Sequence, residues 1–172
     1  IWYNGVYTYL KKMTAFASLP GAAVGMIPPA IGWVSAGGEL LDAKLLALCA
    51  VYFLWQTPHF WLLLLTHGEE YVTAGLPSLT RVMSKPQLAR VSFTWICAAA
   101  VATLLLPLYG VVTSPLLYCA LILPAGWLVW NGTALIKKPP LSSTRILFRR
   151  INIYLFIMMA LLSLEGVLFR AI

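Results

Sequence analysis

Residues 43–66 read AKLLALCAVYFLWQTPHFWLLLLT, an apolar run whose only Lys, Arg, Asp or Glu is Lys44 near its start. A helix needs about 20 such residues to cross the hydrocarbon of a bilayer, so the stretch predicts a membrane span. Working outward, runs of the same kind occupy 15–36, 87–111, 115–136 and 146–169, which makes five full spans. Residues 1–10 form an apolar run too short to cross and end at Lys11 and Lys12. That run is expected to be the tail of a sixth span begun upstream. Composition agrees: 61% of the 172 residues are hydrophobic and only 10% are charged, against about 25% charged in an ordinary soluble domain. The predicted fold class is therefore all-α, an integral membrane helical bundle forming one domain over 1–172, with the lipid bilayer as the solvent for most of its surface.

The net charge of +7 does not point to nucleic acid, because the basic residues cluster between apolar runs and not on a polar face interleaved with aromatics. Sorted by alternate loops, Lys11, Lys12, Arg81, Lys85, Arg90, Lys137, Lys138, Arg145, Arg149 and Arg150 fall on one side, and only Lys44 and Arg170 on the other. Cytoplasmic loops retain Lys and Arg, so the first side is predicted to be cytoplasmic, in a bacterial inner membrane. Trp2, Tyr3, Trp33, Tyr109 and Tyr118 then fall near the opposite interface, where amphipathic rings anchor spans. Cys49, Cys97 and Cys119 lie in apolar stretches without metal-ligand spacing and read as small buried residues. The opening residues lack the pattern of a cleavable signal peptide.

Prolines punctuate three spans, at Pro28 and Pro29, at Pro58 and at Pro124, and each removes a backbone donor and favours a kink. Gly21, Ala22 and Gly25 form a small-residue face suited to close helix packing.

Residues 67–86, HGEEYVTAGLPSLTRVMSKP, form the one predicted cytoplasmic loop that carries carboxylates, Glu69 and Glu70. Adjacent carboxylates repel unless a cation relieves them, and hard oxygen donors suit Mg²⁺, which binds through one or two carboxylates plus phosphate. A solvated surface pair is the plainer alternative. Lys11, Lys12, Arg81 and Lys85 on the same face would complement a diphosphate, although topology alone places them there too. His59 sits inside a span between Trp55 and Trp61, next to Gln56 and Pro58. An ionisable group at that depth marks a candidate site; otherwise it bonds a carbonyl that Pro58 frees. Glu165, near the outer end of the last span, is expected to snorkel or to pair with Arg170 and is assigned no chemistry.

Two stretches carry a family resemblance: 7–33, YTYLKKMTAFASLPGAAVGMIPPAIGW, and 54–79, LWQTPHFWLLLLTHGEEYVTAGLPSL. They resemble the heme O synthase family, the protoheme IX farnesyltransferases of the UbiA-type prenyltransferase superfamily. The most specific elements are Pro28 to Trp33 (Pro-Pro-x-x-Gly-Trp), Pro58 to Trp61 (Pro-His-Phe-Trp) and Tyr71 to Pro77 (Tyr-x-x-Ala-Gly-x-Pro). The resemblance implies the second half of a nine-span helical bundle around a cavity. There Mg²⁺ holds farnesyl diphosphate, and the farnesyl group joins a vinyl group of heme b to give heme O. It assigns Glu69 and Glu70 to metal and diphosphate, with Tyr71 beside them, and places His59 in the substrate cavity. Trp61, with Trp55 and Phe60, would offer ring faces to a carbocation, though helix packing explains any one ring as well.

The chain departs from the family pattern in three places. Glu69 and Glu70 stand where the family usually has aspartates, preceded by Gly68 where a basic residue is usual. After Pro77 the proline-rich sequel is replaced by Ser78, Leu79, Thr80 and Arg81. The superfamily's first Asn/Asp-rich motif belongs upstream of residue 1, so the chain is expected to be a C-terminal part, inactive on its own. Three other readings stay open: a UbiA-type enzyme with another aromatic acceptor, a non-catalytic membrane paralogue associated with a terminal oxidase, and a secondary transporter, which would leave the acidic pair unexplained.

Overall fold

The structure, a computed structural model, describes residues 2–75, 77–137 and 141–169. Ile1, Lys138 and Arg170, which enter the span and charge arguments above, lie outside the described residues. Among those residues five helical stretches are long and apolar enough to span a bilayer: Ala15–Ser35, Ala43–Thr73, Lys85–Leu104, Pro115–Leu135 and Ser143–Leu168. They match the five spans expected from sequence. Helices suit this setting because hydrocarbon offers backbone amides and carbonyls no water to bond.

The opening run is helical, a π-helical turn over Trp2–Tyr7 leading into α1 (Thr8–Met13). Thr14 turns the chain with extended backbone, and its hydroxyl accepts the Phe16 amide at 3.2 Å. The next span is not one regular helix. It alternates 3₁₀ turns with α2 (Ser18–Ala22) and α3 (Ile27–Ser35). Pro28 and Pro29 stand in the first turn of α3, where a missing N–H costs no hydrogen bond, so they start this helix instead of kinking it. The small-residue face packs closely, as expected. A Cβ on Gly21 would lie 2.6 Å from the Tyr7 ring, and one on Gly25 3.0 Å from Gln56 Oε1.

Helix α4 (Ala43–Thr73) is the centre of the bundle and is capped by Asp42, which accepts the Lys44 amide at 2.8 Å. It runs unbroken through Pro58 and well beyond Thr66. Glu69, Glu70 and Tyr71 therefore sit on its last turns and not in a loop. The helix stops where Gly75 takes a positive φ of 72°, a conformation that glycine adopts without strain. The short α5 (Leu79–Val82) then folds back onto Gly68, where a Cβ would meet Thr80 Cγ2 at 2.8 Å. Helix α6 (Lys85–Leu104) starts with a reciprocal capping box between Ser84 and Gln87, satisfying two otherwise orphan amides. Helix α7 (Pro115–Gly132) carries Pro124 internally, and α8 (Leu141–Phe169) closes the bundle.

The four long helices α4, α6, α7 and α8 share a core that includes Leu62, Ile96, Leu128, Ile151 and Tyr154. Polar ties cross it. Trp55 donates its indole N–H to the Ile151 carbonyl at 2.9 Å, and the hydroxyls of Thr103 and Tyr154 meet at 2.6 Å. Leu108, Leu116, Leu123 and Trp130 face outward, as lipid-facing residues should.

Glu165 corrects an expectation. It does not snorkel to the surface but is 1% exposed, and its Oε1 accepts the Thr113 amide at 2.6 Å, the Thr113 hydroxyl at 2.5 Å and the Ser114 amide at 3.2 Å. The carboxylate thus satisfies amides at the start of α7, where the helix dipole favours negative charge. Glu165→Ala should lower stability by about 2–3 kcal/mol by stripping these amides of their acceptor, and Glu165→Gln by less. Thermal unfolding of the purified protein in detergent checks both.

Candidate substrate cavity and acidic rim

The C-terminal turns of α4 separate two hollows at the end of the bundle where α1 ends and α6 begins. On one side is a cavity of about 270 Å³ whose walls include Tyr7, Lys11, Ser18, Phe60, Leu64 and Tyr71. Its lining mixes the apolar side chains of Phe60, Leu63 and Leu64 with the ammonium of Lys11, the phenols of Tyr7 and Tyr71 and the hydroxyl residues Thr14 and Ser18. Lys11 comes from the last turn of α1, Ser18 from the first turn of α2, and Phe60, Leu64 and Tyr71 from α4 at intervals of four and seven. Such intervals return side chains to one helix face. Lys12, also expected at this site, is exposed and is not part of the cavity wall.

On the other side is a hollow that contains the carboxylates Glu69 and Glu70 with His67, Thr80, Arg81 and Lys85. Glu69 Oε1 accepts from Lys85 Nζ at 3.1 Å, and Glu70 Oε1 lies 3.1 Å from His67 Nδ1. Both carboxylates are largely exposed, at 90% and 78%, so these pairs are worth little in stability and part readily for a competing cation. A third hollow contains Thr14, Ala15 and Pro77, shared with the cavity, and Arg81, shared with the acidic rim. Arg81 thereby lines both the acidic rim and this third hollow, held by the seat of α5 on Gly68.

Among the described residues no group of three or more His, Cys, Asp or Glu gathers to hold a metal ion. In this hollow Glu69 and Glu70 supply the carboxylate oxygens that suit Mg²⁺, an ion that takes few protein carboxylates and fills its other places with phosphate and water.

His59 lies about 15 Å from Glu69 along the helix axis, among aromatic rings. Ring centroids of Trp55, Phe60 and Phe148 stand at 5.0, 5.8 and 4.8 Å from its own. Its Nδ1 is buried without a hydrogen-bond partner, so the expected bond to a backbone carbonyl does not form there, and Asn152 of α8 is the polar side chain beside the ring. Phe60 belongs to the cavity wall as well, which puts His59 directly behind it. Trp61 is buried; its indole N–H donates to Ser18 Oγ at 2.9 Å and its ring packs edge-on to Trp95 at 5.5 Å. It braces a cavity wall from behind.

Sequence reasoning missed Tyr7, Ser18 and Phe148. Tyr7 enters the site because its ring occupies the space left by Gly21, a contact between segments 14 residues apart that sequence does not signal. Ser18 and Phe148 gave no local signal, since they reach the site only through the packing of α2 and α8.

Residues 1–162 match the family model described as "UbiA prenyltransferase family". The chain belongs to that family. It is 36% identical over 163 residues to a protoheme IX farnesyltransferase of Oleidesulfovibrio alaskensis, covering 95% of this chain and 56% of that protein. It is 41% identical over 109 residues to one of Geobacter sulfurreducens, covering 63% and 40%. It is 34% identical over 166 residues to one of a Synechococcus strain, covering 95% and 50%. The chain thus spans about half the length of the curated relatives it matches. No solved structure matches it.

The seat of α5 generates a test. Gly68→Leu should push Thr80 and α5 off α4 and displace Arg81, seen as faster protease cleavage within 74–84 at unchanged helix content by circular dichroism. Gly126→Leu, where nothing stands within 4 Å of a new Cβ, should change neither.

Proposed function

We propose that this chain forms the C-terminal part of an enzyme that transfers a farnesyl group from farnesyl diphosphate to a vinyl group of heme b, giving heme O. The observation that carries the reading is the pairing, on two faces of the end of α4, of a cavity walled by Phe60, Leu64, Tyr71 and Lys11 with a carboxylate rim at Glu69 and Glu70 that also holds Arg81 and Lys85. The names of the relatives support the choice of heme as acceptor. The acidic rim is proposed to face the cytoplasm of a bacterial inner membrane.

Glu69 and Glu70 would hold Mg²⁺, which when bound neutralises the diphosphate as it leaves. Arg81 and Lys85 add positive charge on the same side, and Lys11 does so from the cavity rim. The allylic C–O bond breaks with its electron pair going to diphosphate. The vinyl π electrons then form the new C–C bond, and the charge left beside the ring is quenched by water with release of a proton. Phe60 and Leu64 keep bulk water from the isoprenoid cation before that bond forms, and aromatic faces near it stabilise positive charge. Tyr71 and His59 act on the substrates in the cavity, Tyr71 at its rim and His59 behind Phe60. Trp61 contributes by fixing the wall.

The test is expression from the complete native gene in cells lacking heme O synthase, with extracted hemes analysed by mass spectrometry. Farnesylated heme should appear and fall at least about a hundredfold when Glu69 and Glu70 are both changed to Gln, the loss expected when charge stabilisation of the leaving group is removed. Protein that accumulates in membranes while heme b stays unmodified would instead favour a non-catalytic role beside a terminal oxidase, and a prenylated compound other than heme would favour a different acceptor. The 172-residue chain by itself, supplied with farnesyl diphosphate, heme and Mg²⁺, should show no turnover.

A further inference from the structure

The cytoplasmic half of α8 carries Arg145, Arg149 and Arg150, and they are not equivalent. Arg150 is engaged, its guanidinium bonding Asn131 Oδ1 on α7. Arg145 and Arg149 are exposed and, among the described residues, have neither an ion pair nor a hydrogen bond. Both lie on a groove of about 470 Å³ with Phe148, Asn152, Ile153 and Phe156. Residues 145, 149, 152 and 156 recur at intervals of four, three and four, so they make one stripe along the helix. Its upper end is cationic and its lower end is aromatic and apolar. Phe148 links the groove to the interior, since its ring lies 4.8 Å from that of His59.

A positive-inside bias accounts for basic residues at this end. It does not account for two guanidiniums, unpartnered among the described residues and one helical turn apart, about 6 Å along the axis, above a ring-lined groove that leads to the half-buried His59. That pattern fits a flat apolar ligand with two separate carboxylates on one edge. A single phosphate would draw both guanidiniums to one point, whereas two carboxylates take one each in charge-assisted bonds.

We propose that Arg145 and Arg149 bind the two propionates of the tetrapyrrole acceptor, with Phe148 and Phe156 against the ring. This rests on the heme acceptor proposed above and adds to it the residues that orient the ring. The vinyl-bearing edge, on the far side of the ring from the propionates, then lies deeper, toward the level of His59.

The test uses protein from the complete native gene in nanodiscs, with heme b and its dipropionate dimethyl ester as probes. Absorbance titration without farnesyl diphosphate gives binding, and turnover gives KM and kcat. Arg145→Gln/Arg149→Gln should weaken heme binding and raise KM for heme about tenfold or more, the loss of charge-assisted hydrogen bonds. The value of kcat should stay within about twofold, and KM for farnesyl diphosphate should not change. The ester should bind the unaltered protein about as weakly as heme binds the double variant, and the double variant should not distinguish ester from acid. Arg145→Lys/Arg149→Lys should recover most of the affinity, which separates lost charge from lost fold. Unchanged heme affinity in the Gln variant overturns the proposal, as does an ester penalty of equal size in both proteins. An effect of the variants only in nanodiscs containing anionic phospholipid assigns the groove to lipid headgroups and overturns it too. Arginine-dependent heme binding without any prenylation would support this site while removing the transferase reading.

Discussion

A backbone amide or carbonyl inside hydrocarbon has no water to bond, and leaving one unpaired costs several kcal/mol. The described structure is largely a response to that constraint. Helices satisfy most groups within themselves, and the remaining exposures occur where helices start, stop or contain proline. At the start of α7 the chain places Glu165 from α8, so one carboxylate serves two amides and a hydroxyl that its own helix cannot satisfy. At the start of α6, near the membrane surface, a local box between Ser84 and Gln87 does the same with neutral groups. The contrast follows the setting, because the Glu165 cap is buried and the Ser84 cap is exposed to solvent.

The same constraint decides where function is possible. Tyr71, Glu69 and Glu70 sit on the last turns of α4, where the helix leaves the apolar layer and polar side chains become tolerable. The cavity behind them is walled by residues four and seven apart on one helix face, and the rim by residues on another. One helix thus presents a cavity wall and a carboxylate-bearing surface within a few residues. Arg81 joins the acidic rim because Gly68 lets α5 lie directly against α4.

The five spans were legible because membrane helices announce themselves by length and apolarity, and both are properties of contiguous sequence. The end of α4 was misplaced at Thr66 because hydropathy falls there, while the backbone continues as helix to Thr73. Gly75, followed two residues later by Pro77, was the punctuation that marks the true end. Irregularity in Ala15–Ser35 had no clear signal, since short 3₁₀ turns and α-helical turns share a composition. The snorkelling expected of Glu165 and the carbonyl bond offered as the alternative for His59 Nδ1 were not found, for a common reason. Their surroundings come from chain segments far away in sequence, Thr113 and Ser114 for the first and Phe148 for the second. The acidic pair and Lys11 were readable as candidates, but their division between two hollows depends on helix phase and could be settled only by structure.

Because α4 is a single uninterrupted rod from Asp42 to Gly75, everything mounted on it shares one phase and one scale. An extra residue between Phe60 and Glu69 would move the carboxylates by about 1.5 Å and turn them by about 100°, away from Lys85 and Arg81. Substitution in this stretch changes chemistry while leaving alignment intact, but insertion or deletion breaks alignment whatever the residue. Length variation among proteins built on this plan should therefore collect in the connections around 36–42, 74–78 and 105–114, and be scarce between His59 and Tyr71.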